Sequence, residues 1–344
     1  MASPVELTFL PGLGDVVTEE VGGLSVAKVR PVPGRQDAVR CRVSELAPLL
    51  SLRTVVAPFL VLTFDVPRPR SLSSGEYFPR IVDAIVQAKR LNSDDPLRTF
   101  RIEAAGSDSP VFRRLADQIA QASGLVADES GGDCVLRFRR AVDGPGWEVL
   151  VRLTKRPLAT RPWRVRGYPA AVNATIAAAM VRLSRPDPAD RVANLMCGSG
   201  TLLVERLLAA PARSAVGVDI SSDAISASAD NLAAAGLTDR VTLHHTDIAD
   251  SEWATAGPFD VVFADPPWGD KIGRHDTNES VHQELLQRAA DTCRPGGRLV
   301  ALTHEIKVMQ RCLQRTADSW DVRDELRVFA KGHHPRIYLL QRKT

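Results

Sequence analysis

Two short segments carry residue types that can do chemistry together. The first is Asn194-Leu195-Met196-Cys197-Gly198-Ser199-Gly200-Thr201, which follows an apolar run and opens an apolar helical pattern. Glycines at such a junction let the backbone approach a ligand closely. A helix N-terminus there offers free N–H groups and a positive dipole. A strict dinucleotide fingerprint needs a third glycine; Leu203 stands in that place, which points away from NAD. Asp219 ends the next apolar run, where a carboxylate can accept from both hydroxyls of a ribose. Asp247, after the third run, can accept from an adenine amino group. Together these features fit an adenosine ligand.

The second segment is Asp265-Pro266-Pro267-Trp268-Gly269, at the end of the apolar run Asp260–Ala264. Two successive prolines fix φ and remove two N–H donors. Asp265 and the carbonyls then present an acceptor-only surface. The exocyclic amine of a nucleobase needs such a surface, because its lone pair is delocalised into the ring. Two acceptors on its hydrogens rehybridise the nitrogen and aim the lone pair at an electrophilic methyl. Trp268 offers a flat face for stacking the base, an interaction worth about 1–3 kcal/mol.

These segments need a scaffold that gathers strand ends. From Asp190 onward, strands are expected at Arg191–Leu195, Ala215–Ile220, Val241–His245, Asp260–Ala264, Arg298–Thr303, Trp320–Val328 and Arg336–Gln341. Helices are expected at Thr201–Leu208, Asp223–Ala235, Glu279–Thr292 and Glu305–Arg315, with Gly236 and Pro295-Gly296-Gly297 as stops. Strands separated by helices imply crossovers and an α/β, mostly parallel, doubly wound sheet. The short connection between the last two strands makes one of them antiparallel.

The first half reads as α+β, built of small units. Strands are expected at Val5–Leu10, Val26–Val32, Val55–Val66, Phe100–Ala105, Val135–Arg139 and Trp147–Leu153. Helices fit Gly14–Val21, Ser44–Leu50, Tyr77–Ala88 and Val111–Ala122. Breaks are expected near Val66–Ser74 and Pro157–Tyr168.

Composition sets the outer limits. The chain has 344 residues, enough for two or three domains. Apolar residues at 44% and charged residues at 25% argue against global disorder. The net charge of +3 permits a nucleic-acid partner without implying one. Five cysteines without a CxxC pair exclude a disulfide scaffold or zinc ribbon and fit a reducing cytoplasm. His244-His245 and His333-His334 lack companion ligands at useful spacing, so no metal is expected. No apolar stretch is long enough to span a membrane. The N-terminus has no basic stretch leading into an apolar one, so no signal peptide is expected.

With these residues in view, the segment from about Arg161 to the C-terminus resembles the class I S-adenosylmethionine-dependent methyltransferases. It is most similar to the THUMP-domain RNA guanine-N2 methyltransferases. Their D-P-x-C-G-S-G-T and N/D-P-P-Y/F/W-G motifs correspond here to NLMCGSGT and DPPWG. Arg161-Pro162-Trp163-Arg164 through Asn173–Met180 is similar to the family's helix before the first strand. Gly332-His333-His334-Pro335-Arg336-Ile337-Tyr338 is similar to its C-terminal strand. Phe100–Leu153 resembles the THUMP RNA-binding module, and residues 1–58, with Leu10-Pro11-Gly12-Leu13-Gly14, look like its ferredoxin-like leader. Asn194 and Leu195 depart from the family's acid and proline. Asp265 stands where many relatives have Asn.

The resemblance implies three domains: 1–58 ferredoxin-like, 59–157 THUMP-like, and 158–344 a Rossmann-like methyltransferase with a seven-stranded sheet. It implies S-adenosylmethionine at Asn173, Thr175, Asn194, Met196, Cys197, Gly198, Ser199, Gly200, Thr201, Asp219, Ile220, Asp247, Ile248 and Asp265. Asp265, Pro266, Pro267 and Trp268 would hold a flipped guanosine of tRNA and methylate its N2. Arg152, Lys155, Arg156, Arg161, Arg164 and Arg166 form a run without an acid, joining the two halves. Together with Lys271 and Arg274 it is expected to meet RNA phosphates. An rRNA guanine-N2 enzyme and an adenine-N6 enzyme share the catalytic turn. A non-catalytic RNA-binding protein with a degenerate methyltransferase fold is the reading from another class.

Overall fold

The computed structural model describes residues 2–169, 171–267, 275–330 and 332–344. It divides into two compact units: Met1–Phe9 with Val17–Ala159, and Leu10–Val16 with Thr160–Thr344. Trp268, Lys271 and Arg274 lie outside the described residues.

The first unit is built on one sheet of β1 (Ser3–Thr8), β2 (Val26–Pro31), β3 (Ala38–Val43), β4 (Ala57–Phe64), β5 (Thr99–Glu103), β6 (Val126–Ala127), β7 (Cys134–Arg140) and β8 (Trp147–Arg152). Their order is β2-β3-β1-β4-β8-β7-β5-β6. Its helices are α1 (Gly14–Gly22), whose first residues count with the second unit, α2 (Phe78–Leu91) and α3 (Pro110–Ser123). The expected boundary at residue 58 falls inside β4, which pairs antiparallel with β1 on one side and β8 on the other. Charges cross the same line. Fully buried Glu6 on β1 accepts from Arg40 on β3 and Arg139 on β7, and Arg40 also reaches buried Glu148 on β8 at 2.6 Å. A continuous ladder and a shared buried ion cluster make one unit of the two N-terminal segments.

The second unit carries β9 (Arg191–Leu195), β10 (Ser214–Asp219), β11 (Thr242–His245), β12 (Phe259–Ala264), β13 (Cys293–Thr303), β14 (Trp320–Arg327) and β15 (Arg336–Arg342). The helices are α4 (Ala174–Leu183), α5 (Thr201–Ala209), α6 (Ser222–Ala234), α7 (His275–Thr292) and α8 (Ile306–Arg315). The order is β11-β10-β9-β12-β13-β15-β14. β9 to β13 pair in parallel, and β15 is the antiparallel strand, against both β13 and β14. The inner strands are covered on both faces, so β9 and β12 read as near-continuous apolar runs. The core beneath them includes Leu195, Val218, Trp253, Phe259 and Leu286. From β9 the chain steps outward to β10 and β11, then returns to β12 on the other side. Ligands of open α/β sheets bind outside the carboxyl ends at that reversal.

No helix among the described residues is long and apolar enough to cross a membrane.

Candidate active site

A cavity of about 580 Å³ opens at the carboxyl ends of the inner strands. Met196, Cys197, Gly198, Ser199 and Thr201 form one wall, and Asp219, Ile220, Asp247 and Ile248 another. Asp265, Pro266 and Pro267 close a third side. Residues that the sequence lists as far apart thus meet because β9, β10, β11 and β12 all end on the same edge.

The glycine turn is fixed from behind. Met196, Gly198 and Gly200 have positive φ, at 54°, 53° and 74°. A Cβ on Gly200 would stand 2.9 Å from the Ser228 hydroxyl, so no larger residue fits. The Ser228 hydroxyl donates to the Gly198 carbonyl (2.8 Å), and the Asn231 amide donates to the Ser199 carbonyl (3.0 Å). Both residues sit one turn apart on α6. The N–H groups of Cys197 and Gly200 bond to the carbonyls of Val218 and Cys197, so the turn is held on both sides and meets a ligand through its shape. Cys197 also lines the cavity, but burial pushes its thiol up to about 12, so it remains an unreactive thiol.

Asp219 has a structural task as well. Its carboxylate accepts from Gly198 N (2.8 Å) and Ser221 N (2.9 Å), which ties β10 to the glycine turn. Each oxygen keeps a lone pair for a ligand hydroxyl. The neighbouring Ile220 is 68% exposed, an unusual state for a large aliphatic side chain on a cavity wall. A flat ring of an adenine against it would cover that surface. Asp247 accepts from Ala249 N at 2.9 Å, and this holds its carboxylate at the rim.

Asp265 is the polar group of the third side. Its Oδ1 is buried and has no hydrogen-bond partner among the described residues. Burial pushes the carboxyl up to about 8. Pro266 and Pro267 bring no N–H to satisfy it. The result is a lone acceptor facing an apolar cavity, a state that costs stability unless a ligand donates to it.

Several expected residues lie elsewhere. Asn173 caps α4: its side chain accepts from Thr175 N (2.9 Å) and Thr175 Oγ1 (2.7 Å), so both residues serve the helix start. Asn194 is fully buried and off the cavity wall, its amide donating to the carbonyls of Leu195 and Phe263 across β9 and β12. A carboxylate could not donate those bonds, which accounts for Asn at this position. Gly200 shapes the turn without lining the cavity.

Most of the basic run is engaged within the fold. Arg152 is buried, its guanidinium donating to the carbonyls of Thr154, Asp133 and Lys155. Lys155 pairs with Asp95, and Arg166 pairs with Asp230 at 2.8 Å. Arg161 is buried against Glu205 at 2.7 Å. Arg164 donates to the Val172 carbonyl and the Thr201 hydroxyl. Arg156 alone of the six is exposed and in no ion pair among the described residues. Charge counted along a chain does not reveal which cations are already consumed by folding.

Sequence reasoning missed Tyr168, Val172, Leu202, Ser280 and Glu284, which also line the cavity. It missed the residues that position them too. Asn231 holds Arg166 through two backbone bonds of 3.0 Å, just before Tyr168. His282 on α7 is fully buried. It donates from Nδ1 to the Asn278 carbonyl (2.7 Å) and accepts at Nε2 from the Thr303 hydroxyl (2.8 Å). Burial holds it below the usual imidazole range, in the neutral form this pairing requires. The available signal was a polar residue on the apolar face of a helix.

Residues 161–336 match the family described as UPF0020: RMKL-like, methyltransferase domain. The chain belongs to that methyltransferase family. Over 352 aligned residues, this methyltransferase is 26% identical to the tRNA (guanine(6)-N2)-methyltransferase of Thermus thermophilus, covering 98% of this chain and 99% of that protein. It is also 26% identical to the bovine U6 snRNA (guanine-N(2))-methyltransferase THUMPD2, over 68% of this chain and 46% of that protein. The chain therefore spans about half the length of that relative. The crystal structure of TrmN from Thermus thermophilus superposes with a TM-score of 0.73 at 23% identity, covering 98% of this chain and 99% of that one. That likeness establishes the fold, a Rossmann-like methyltransferase unit preceded by an α+β unit. Among the described residues no cluster of three or more His, Cys, Asp or Glu could hold a metal ion.

Proposed function

We propose that this methyltransferase uses S-adenosylmethionine to methylate the exocyclic N2 of a guanosine in tRNA. The observation that carries the chemistry is the buried Oδ1 of Asp265, without a partner among the described residues, beside two prolines at the cavity wall. The cavity fits the cofactor on three counts: a tight glycine turn of positive φ in its wall, Asp219 with spare lone pairs, and exposed Ile220. When bound, the cofactor supplies a methyl group on a sulfonium.

The chain's own residues do the rest. Asp219 holds the ribose hydroxyls, and Ile220 with Ile248 packs against the adenine. The target base, extruded from its stack, donates its N2 hydrogens to Asp265. Pro266 and Pro267 keep competing donors away. Positioning of this kind supplies up to about 7–11 kcal/mol of a barrier. The tRNA reading is supported by the Thermus relative, which aligns along nearly its whole length. Nucleoside mass spectrometry of tRNA from a deletion strain tests it. Loss of N2-methylguanosine from tRNA is expected; loss from another RNA with tRNA intact would reassign the substrate.

Two measurements follow from the site. Asp219→Ala removes both the ribose acceptor and a brace of the turn. It should weaken S-adenosylmethionine binding at least tenfold, about 1.4 kcal/mol. Unchanged binding in titration calorimetry would take Asp219 out of the cofactor site.

The second concerns pH. The ionised carboxylate is the stronger acceptor. kcat/KM, which reports the free enzyme, should rise with pH and level off above the raised value of about 8. Asp265→Asn should flatten that profile. The unfolded chain releases this proton near pH ~4, so the raised carboxyl lowers folding stability as pH climbs from there. Asp265→Asn should accordingly raise Tm at alkaline pH and leave it unchanged at acidic pH. A wild-type rate independent of pH would separate Asp265 from the chemical step.

A further inference from the structure

The turn between β14 and β15 carries an exposed group of rings that the proposed reaction does not use. Phe329 is 36% exposed, and its ring lies 4.8 Å from that of exposed His334. His333 meets His304 edge-to-face at 5.5 Å. Phe, Trp and Tyr make up only 5% of the chain, and here one of them stands in the open against an exposed histidine ring.

The rings stand on a braced element. Val328 N donates to the Pro335 carbonyl (3.0 Å), and Ala330 and His333 exchange bonds of 3.0 and 2.9 Å. Phe329 N donates to the Pro11 carbonyl (2.9 Å). The next residue, Gly12, packs so closely on the Arg327 carbonyl that a Cβ there would lie 2.0 Å from the oxygen. Pro11 and Gly12 belong to the same compact unit as the rings.

Strand register places this group next to the catalytic turn. Ala264 of β12 pairs with Ala301 of β13, and Thr303 pairs with Arg336 of β15. His304 therefore leaves the sheet on the edge where Asp265 does, one strand away. Exposed Lys307 and Arg327 flank the rings in sequence, and neither is in an ion pair among the described residues.

We propose that Phe329 and His334 form a stacking platform for an RNA base beside the one being methylated. The inference rests on the RNA reading of the active site. Every base has a π-face, so such a platform binds without sequence preference. It also adds affinity without adding charge.

The test uses the full-length protein and a labelled short oligoadenylate RNA. Phe329→Leu keeps the apolar volume and removes the π-face; Phe329→Trp keeps both. The variant pairing Phe329→Leu with His334→Ala is expected to bind oligoadenylate at least tenfold more weakly, about 1.4 kcal/mol. The loss should be equal at every salt concentration, with the slope of log K against log salt unchanged. Phe329→Trp should bind like the wild type. In tRNA methylation, the double variant should show a raised KM for RNA and an unchanged kcat. Unaltered oligoadenylate affinity in a variant of wild-type Tm would overturn the platform and assign the rings to a protein partner. A flattened salt slope would overturn it too. If the wild type binds oligoadenylate through these rings but leaves tRNA unmethylated, the platform stands and the tRNA reading falls.

Discussion

Replacing Asp265 by alanine is expected to slow single-turnover methylation by a factor of about 10²–10³, the usual worth of one preorganised hydrogen-bonding group in a transition state. Its Oδ1 is buried and has no partner among the described residues, so the acceptor is in place before the target base arrives. An amine nitrogen gains its lone pair only as the methyl transfers, and the bonds to its hydrogens strengthen at that moment. The loss therefore belongs to the chemical step. Affinities for cofactor and RNA should stay within a few-fold. Asp265→Asn should be milder, because the amide oxygen still accepts. Thermal stability should not fall in either variant, since the carboxyl removed carries a buried oxygen without a partner among the described residues. Single-turnover rates with saturating enzyme check all of this. An Asp265→Ala protein that methylates guanine N2 at the wild-type rate would place the active site elsewhere.

Arg161→Ala should destabilise the second unit by about 3–5 kcal/mol, the cost of leaving a buried charge without its partner. Arg161 and Glu205 are both buried, and Arg161 Nε lies 2.7 Å from the carboxylate. Glu205 sits on α5, directly behind the glycine turn, so the pair also anchors the segment that leads to Tyr168. Replacing both residues by apolar ones of similar volume should recover most of the loss, because the remaining charge disappears with its partner. Denaturant unfolding of the two variants measures the difference. The competing reading of this arginine as an RNA contact requires the opposite result: unchanged stability and a shallower salt dependence of RNA binding.

The parallel sheet was legible because its strands are covered on both faces. Burial on both faces forces continuous apolar runs, and Arg191–Leu195 begins and ends where expected. The other strand ends of this sheet agree closely, except that β13 begins at Cys293 and not at Arg298, running through the expected stop at Pro295-Gly296-Gly297. The glycine turn and the double proline were legible for a related reason: few residue types tolerate positive φ or supply no N–H, so backbone demands appear directly as letters. Asp219, Asp247 and Asp265 followed from their places at strand ends.

Tertiary structure decided what depends on partners distant in the chain. β3 was missed because its Arg40 is buried, and a buried arginine looks like any other until Glu6 and Glu148 are seen beside it. The boundary expected at residue 58 fell inside β4 for the same kind of reason, since ladder pairing with β1 and β8 joins residues far apart in sequence. Asn173 and Thr175 matched a motif, yet local capping uses both side chains. The six basic residues read as one patch, and folding spends most of them on carbonyls and carboxylates. Periodicity and backbone constraint are local and therefore written in the sequence. Whether a charge is free, and which side chains wall a cavity, depends on what the fold brings within about 3 Å, the reach of a hydrogen bond.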